Sequence, residues 1–219
     1  MENHIQEGRL RESGEELEEG GIIGIRVFED SSLALRILSE WLPAYQQVYA
    51  RAALENGGVG LVLEYNGLPV GSAIGYTAGG RGGQVALGVI YYVYVRPRSR
   101  GRGLGKVLVA SLEELLSGMG ASLYVASTRE DNWSSQRMFE SLGYKVFKWW
   151  ELEEEVGSEA LEALEAAACM YEDEIVMIKP YDRRVISKLR RSDYEELWYK
   201  ACYKPWLDMR RHGKTTWAP

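Results

Sequence analysis

The chain has 219 residues, 46% of them hydrophobic, with 26 basic against 32 acidic side chains and a net charge of -6. That length suits one domain with additions or two small ones, the apolar content can fill a core, and the acidic balance argues against a dedicated nucleic-acid binder. No apolar run reaches transmembrane length, and the first residues are acidic where a signal peptide would be basic and then apolar, so a soluble intracellular protein is expected.

Met1–Gly20 holds seven glutamates and reads as a flexible acidic tail ahead of a domain over residues 21–180. Ile22 to Phe28 predicts a first strand, and Asp30, Ser31 and Ser32 offer caps to a helix through Leu33, Ile37, Leu38 and Trp41. Pro43 breaks it, and a second helix is expected from Ala44 to Leu54. Val59 to Ala78 predicts two strands around the turn signal Tyr65-Asn66-Gly67. Gln84 to Val95 is free of charge and rich in Val, Ile and Tyr, the pattern of a strand buried on both faces. Leu104, Leu108, Leu112 and Leu115 then repeat at helical spacing until Gly118 and Gly120 end the helix. Ser122 to Thr128 predicts another strand. A helix carrying Trp133, Met138, Phe139 and Leu142 closes at Gly143, and strands at Tyr144 to Leu152 and Glu174 to Lys179 complete an alternating α/β order.

Between the buried strand and the leucine helix lies RPRSRGRGLGK, Arg96 to Lys106. It fails the Walker pattern, because Arg100 stands where the first glycine is needed and Val107 follows Lys106. It fails the dinucleotide fingerprint too, for want of the third glycine. What fits is R-x-x-G-x-G, as Arg100, Gly103 and Gly105. A strand-to-helix junction with these glycines suits an anion: free backbone N–H groups and the helix dipole attract it, and Arg100, Arg102 and Lys106 add charge. The alternative is a tight basic turn with no ligand.

The whole order resembles the GNAT superfamily of N-acetyltransferases. The resemblance spans about Ile22 to Lys179 and rests on R-x-x-G-x-G together with N-x-x-x-x-x-x-[YF]-x-x-x-G-[FY], which runs from Asn132 through Phe139 and Gly143 to Tyr144. It implies a mixed, mostly antiparallel sheet flanked by helices, whose two central parallel strands splay apart. It implies acetyl-CoA as cosubstrate and no metal. The backbones of Val93, Tyr94 and Val95 would line the pantetheine arm like an added strand. Arg100, Gly101, Arg102, Gly103, Leu104, Gly105 and Lys106 would cradle the pyrophosphate, and Asn132 would touch the pantetheine or simply cap its helix. Acetyl transfer to a primary amine of a protein, peptide or small molecule would be direct, with a backbone N–H near Val93 at the oxyanion. Phe139 stands where many members carry a tyrosine that protonates the departing sulfur. Tyr124, Ser134 and Ser135 are substitutes for that acid; Tyr92, Tyr94, Glu64 or water are open as proton relays. The departure at Phe139 keeps a second reading in play, a non-catalytic acyl-CoA-binding or regulatory module.

Two regions fall outside the resemblance. Residues 153–170 insert an acidic, alanine-rich helix, expected to be capped by Ser158 and to lie solvated on the surface. The extension over residues 181–219 is basic and aromatic. From Pro180 onward ten basic and five acidic side chains give +5, against 16 and 27, or -11, in the preceding 179 residues. Ser192 to Glu195 reads as a capping box for an apolar helical face through Tyr194, Leu197, Trp198, Ala201 and Cys202, ending at Pro205. That face must dock on its own domain or on a second subunit as a homodimer; membrane or nucleic-acid contact is the minor alternative. Cys169 and Cys202 fit no short metal or redox spacing and are expected as two ordinary thiols in a reducing cytoplasm.

Overall fold

The computed structural model describes residues 24–211 except 81, 83, 171 and 172. The expected acidic tail, the residues Ile22 and Ile23, and the end of the extension with Trp217 lie outside the described residues. Among the described residues seven strands form one sheet in the order β1-β2-β3-β4-β5-β7-β6. They are β1 (Ile25–Glu29), β2 (Val59–Tyr65), β3 (Leu68–Gly79), β4 (Ala86–Val95), β5 (Leu123–Thr128), β6 (Lys145–Lys148) and β7 (Ile175–Lys179). Every neighbouring pair is antiparallel except β4 and β5.

The helices begin and end largely where local chemistry places them. The Asp30 side chain accepts from the Leu33 amide at 2.8 Å and starts α1 (Ser31–Ser39). Pro43 precedes α2 (Ala44–Glu55). The β2–β3 turn puts Asn66 and Gly67 in the left-handed region, which asparagine and glycine tolerate best. Helices α3 (Leu104–Gly118) and α4 (Trp133–Glu140) cover one face of the sheet, where Leu104, Leu108, Leu112 and Leu116 pack against Leu63, Ala73, Ile90, Ala126 and Met177. On β3 a Cβ at Gly75 would lie 2.6 Å from the Val89 carbonyl oxygen and 2.9 Å from Leu112 Cδ2, so only glycine lets α3 lie this close.

The opposite face carries α1 and α2, then α5 (Trp149–Val156) and α6 (Ser158–Ala168), then the extension. Several expectations are corrected by the structure. The strand expected to run to Leu152 stops at Lys148, because the Glu151 carboxylate accepts from the Lys148 amide at 3.1 Å and starts α5, whose Leu152 and Val156 enter the core one turn apart. Helix α6 is not a solvated surface helix, and Gly157 rather than Ser158 stands at its cap. Its Leu161 and Leu164, with the small side chains of Ala160, Ala163, Ala166, Ala167 and Ala168, are buried against β3, β4 and β5. Alanine contributes little area but permits close approach.

Cys169 and Cys202 are not free thiols: they form a disulfide between the end of α6 and the extension. The extension comprises α7 (Arg183–Ile186), a 3₁₀ turn, and then α8 (Glu195–Trp198), a π-helical turn (Tyr199–Tyr203) and α9 (Lys204–Arg211) in one run. No capping box forms at Ser192, and Pro205 does not stop the helix. The wider π turn before Pro205 relieves the contact between its ring and the preceding carbonyls. The apolar face docks on the chain's own domain. Tyr194 is 1% exposed, and its hydroxyl donates to the Val85 carbonyl at 3.1 Å. Ala201 and Cys202 are buried with it. Among the described residues no helix is long and apolar enough to cross a membrane.

Candidate active site

Strands β4 and β5 pair only at Leu87 with Leu123, Gly88 with Tyr124 and Val89 with Val125. Beyond that β4 continues to Val95 along β3, and β5 continues to Thr128 along β7. The two strands therefore part, and among the described residues the β5 side of Ile90 to Val95 has no ladder partner. The opening starts at an irregularity in β4. Gly75 faces Ile90 while Ile74 faces Tyr92, so Tyr91 is the extra residue of a bulge. A bulge bends its strand and shifts the side-chain alternation by one. Tyr91, Tyr92 and Tyr94 consequently face the α1–α2 side, and Val93 and Val95 face α3.

At the α3 end of this opening stands the arginine–glycine loop. Gly101 and Gly103 have φ of +78° and +75°, and a Cβ on either would meet nothing within 4 Å. The space beyond them is thus open, and the first amides of α3, at Leu104 and Gly105, have no acceptor within the helix. Gly105 points elsewhere: its Cβ would lie 2.7 Å from Met138 Sδ, so it also lets α4 approach α3. Arg102 lies over the Tyr65 ring at 5.4 Å, and the Arg100 guanidinium donates to the Val95 carbonyl at 2.8 Å. Lys106 is exposed on the first turn. Arg96 is a structural member, joined to both Glu40 carboxylate oxygens at 2.5 and 2.9 Å; this pairing holds the Glu40 carboxyl below its ordinary range. An open cradle with free amides and three nearby cations fits a diphosphate.

The Asn132 side chain is engaged at both ends. Its oxygen accepts from the Ser135 amide at 3.2 Å, and its nitrogen donates to Thr128 Oγ1 at 2.9 Å. It caps α4 and ties that cap to the end of β5. Phe139 is 3% exposed and meets Tyr144 edge-on at 4.8 Å between centroids, among the side chains under α3. The Tyr124 hydroxyl donates to the Glu113 carbonyl at 3.1 Å, on the α3 side of the sheet. Glu64 lies two strands from β4 and faces Arg26 at 3.7 Å. Tyr94 is 7% exposed and stacks on Trp41 at 5.5 Å.

Burial pushes the Tyr91 and Tyr92 hydroxyls well up, and both stay protonated at neutral pH. Each can donate a hydrogen bond or pass a proton along, but neither serves as a standing base. On the β5 side Ser127 Oγ lies 2.5 Å from Asp173 Oδ2. No sequence pattern pointed to that pair, because 46 residues separate its members and only the β5–β7 register joins them.

Comparison with known proteins agrees with this architecture. Acetyltransferases of Yersinia pestis and Pectobacterium atrosepticum are each 39% identical over 86 residues, which is 39% of this chain and 57% of the relative. The chain thus spans about half the length of the curated relatives it matches. Among solved structures, Arabidopsis thaliana Naa50 in complex with the bisubstrate analogue CoA-Ac-MVNAL is similar over 72% of this chain and 99% of its own, with TM-score 0.51 and 15% identity. A GNAT-family acetyltransferase from Desulfovibrio desulfuricans is similar over 71% and 98%, with TM-score 0.50 and 16% identity. At these identities the structural likeness is one of fold. The profile of the acetyltransferase (GNAT) family matches residues 25–144, more than half of the chain and all of it from β1 to the threshold of β6, and the chain belongs to that family.

Proposed function

We propose that the protein is an acetyl-CoA-dependent N-acetyltransferase acting on a primary amine. The observation that carries this reading is the coincidence of two features at one end of the sheet. One is the opening between β4 and β5, and the other is the anion cradle at the start of α3. Acetyl-CoA supplies a thioester, from which the acetyl carbon passes to nitrogen: the C–N bond forms, the C–S bond breaks, and coenzyme A leaves as a thiol with a proton that the amine gives up.

The chain's own part is to bind, orient and stabilise. The amides of Gly103, Leu104 and Gly105, with Arg100, Arg102 and Lys106, would hold the diphosphate. The unpartnered edge of β4 at Val93, Tyr94 and Val95 would add the pantetheine as a strand. Near Val93 a fixed backbone N–H would stabilise charge on the thioester oxygen, a preorganised interaction that costs no rearrangement during transfer.

Calorimetry with coenzyme A, followed by thiol release from acetyl-CoA over a panel of amines and peptides, tests the reading. Tight binding with no release across the panel would leave the acyl-CoA-binding module as the better description. No CoA binding would remove both.

Phe139 provides a finer test. A phenyl ring has no proton to give, so the thiolate leaves without that help. Phe139→Tyr is expected to leave CoA affinity unchanged and to raise the single-turnover rate by no more than about a hundredfold. An unchanged rate would mean that the ring stays against Tyr144 and takes no part.

A further inference from the structure

The carboxyl ends of β4 and β5, where the two strands part, are flanked by tryptophans that the rest of the chain leaves in water. Among the described residues four tryptophans are exposed: Trp41, Trp133, Trp149 and Trp150. Trp133 opens α4, on the face of the sheet that α3 covers. The other three stand on the opposite face, just past α1 and at the start of α5. Helix α1 packs on β2 and β3, and α5 on β6 and β7, so the opening between β4 and β5 lies between them.

Trp41 is 53% exposed, yet it is pinned from behind. Its ring stacks on Tyr94 of β4 at 5.5 Å with the planes 10° apart, and its neighbour Glu40 holds Arg96, just past β4, at 2.5 and 2.9 Å. Trp149 and Trp150 are 40% and 39% exposed and meet edge-on at 5.6 Å. They are tied to the β5 end of the opening. The Trp149 amide donates to the Glu174 carbonyl at 3.0 Å, and the Glu174 carboxylate accepts from the Glu130 amide at 3.0 Å. Glu130, two residues past β5, pairs with Lys148 at 2.7 Å, and Lys148 lies over the Trp150 ring at 4.9 Å. The rings are thus held before any partner arrives, and the cations beside them, Arg96 and Lys148, already have carboxylates. That leaves little to attract the phosphates of a nucleic acid or a lipid surface. Fixed indoles, each a broad apolar ring with one N–H donor, suit a polypeptide, whose apolar side chains and carbonyls they can meet.

Span and direction narrow the partner further. From β4, on which Trp41 rests, to β6, which Trp149 continues, the sheet order crosses three strand spacings, about 14 Å in all. A small amine in the opening cannot touch both sides at once, whereas an extended chain crosses that distance with about five residues. In such a chain residues i−2, i and i+2 point the same way, with about 13–14 Å from first to last. The central side chain then enters the opening while its two neighbours lie on the tryptophans. Because both sides are lined, the chain runs past the opening, and the amine belongs to a side chain, not to the chain's end.

We propose that Trp41 and the Trp149–Trp150 pair dock an extended polypeptide across the opening, and that the acceptor is the side chain of a lysine with an apolar residue two positions away on each side. This rests on the acetyl-transfer reading. The neutral lysine Nζ forms the C–N bond and gives up a proton as the C–S bond breaks, and the departing sulfur takes a proton to become the thiol. The three tryptophans are specificity-determining residues.

Four probes separate the parts of this proposal. The first is a seven-residue peptide, blocked at both ends, with one central lysine and leucine two positions to either side. The second has serine in place of both leucines, the third is an unblocked peptide without lysine that offers only its α-amine, and the fourth is Nα-acetyl-lysine amide. In thiol-release assays on the full chain, the leucine peptide should exceed each of the others by about tenfold or more in kcat/KM. Trp41→Ala and Trp150→Ala should each lower kcat/KM for the leucine peptide by about tenfold, mainly through KM, and shrink its lead over the serine peptide. Trp150→Phe keeps a ring and should lose less, which separates contact with the peptide from a general disturbance of α5.

Calorimetry of the leucine peptide on the CoA-loaded protein distinguishes the docking surface from the chemistry. Binding that is lost in Trp41→Ala and Trp150→Ala, with no turnover of any probe, would keep the surface and reject acetyl transfer. Equal turnover of the leucine and serine peptides, or a lead that survives both substitutions, would keep transfer and overturn the surface. A preference for the free α-amine would overturn the lysine assignment. A dimer in light scattering that Trp150→Ala converts to a monomer would give the tryptophans to a second copy of the chain and overturn the proposal as well.

Discussion

Gly103→Glu should abolish measurable coenzyme A binding while the protein still folds. The Cβ at this position meets nothing within 4 Å, so a side chain there enters the cradle and strikes no part of the protein. With φ at +75°, any residue other than glycine adds about 1–2 kcal/mol of backbone strain, which a domain of ordinary stability survives. The carboxylate would then stand where a diphosphate needs amide donors, exchanging attraction for repulsion. A fall in affinity of about a hundredfold or more, equal to about 2.7 kcal/mol, is expected by calorimetry. Gly103→Ala carries the same strain without the charge and should lose much less. If Gly103→Glu keeps its melting temperature and binds coenzyme A normally, the loop is only a basic turn, and the proposed function loses its main support.

The arginine–glycine loop between β4 and α3 was legible in the sequence because its signals are local. Glycines at fixed offsets, arginines between them and a strand and helix on either side are all contained in Arg96 to Lys106. Helices α1, α2 and α3 were legible for a similar reason, since caps, Pro43 and leucine spacing act over one or two turns. The failures share the opposite cause. Trp149 and Trp150 prolong the apolar run of β6 and read as strand; what decides for helix is the Glu151 cap together with the burial of Leu152 and Val156. The alanines of α6 gave no sign of burial, because periodicity is carried by large side chains, whereas alanine enters a core through its small size. The bulge at Tyr91 exists only relative to β3, and the sequence of β4 is apolar throughout, with no alternation whose break could be seen. Asp173 faces Ser127 only after β7 has paired with β5. Where partners are distant along the chain, pattern within a segment cannot reveal them.

The disulfide is the sharpest instance, and it changes what the extension is expected to do. Cys169 and Cys202 are 33 residues apart, and the bond closes a loop containing β7 and α7. Closing a loop of that length restrains the unfolded chain by about 2–4 kcal/mol. Cys202→Ser should therefore lower the melting temperature by about 5–15 °C, and a reductant acting on the unmodified protein should produce the same shift.

Truncation after Tyr181 should cost more, because it removes the crosslink together with the buried Ile186, Leu189, Tyr194, Ala201 and Met209. Each large side chain among them contributes about 1.5–3 kcal/mol, so the sum rivals the stability of a whole domain. The truncated protein would also expose α6, against which the extension now packs. Soluble protein from this truncation should melt far below the full chain or associate by light scattering. Any fraction that stays folded should still bind coenzyme A, since the α3 cradle lies on the other side of the sheet. Equal melting temperatures for the full chain, Cys202→Ser and the truncation would mean that the extension does not dock on this domain in solution. Its apolar face would then be free for a second copy of the chain, which the mass from light scattering would reveal.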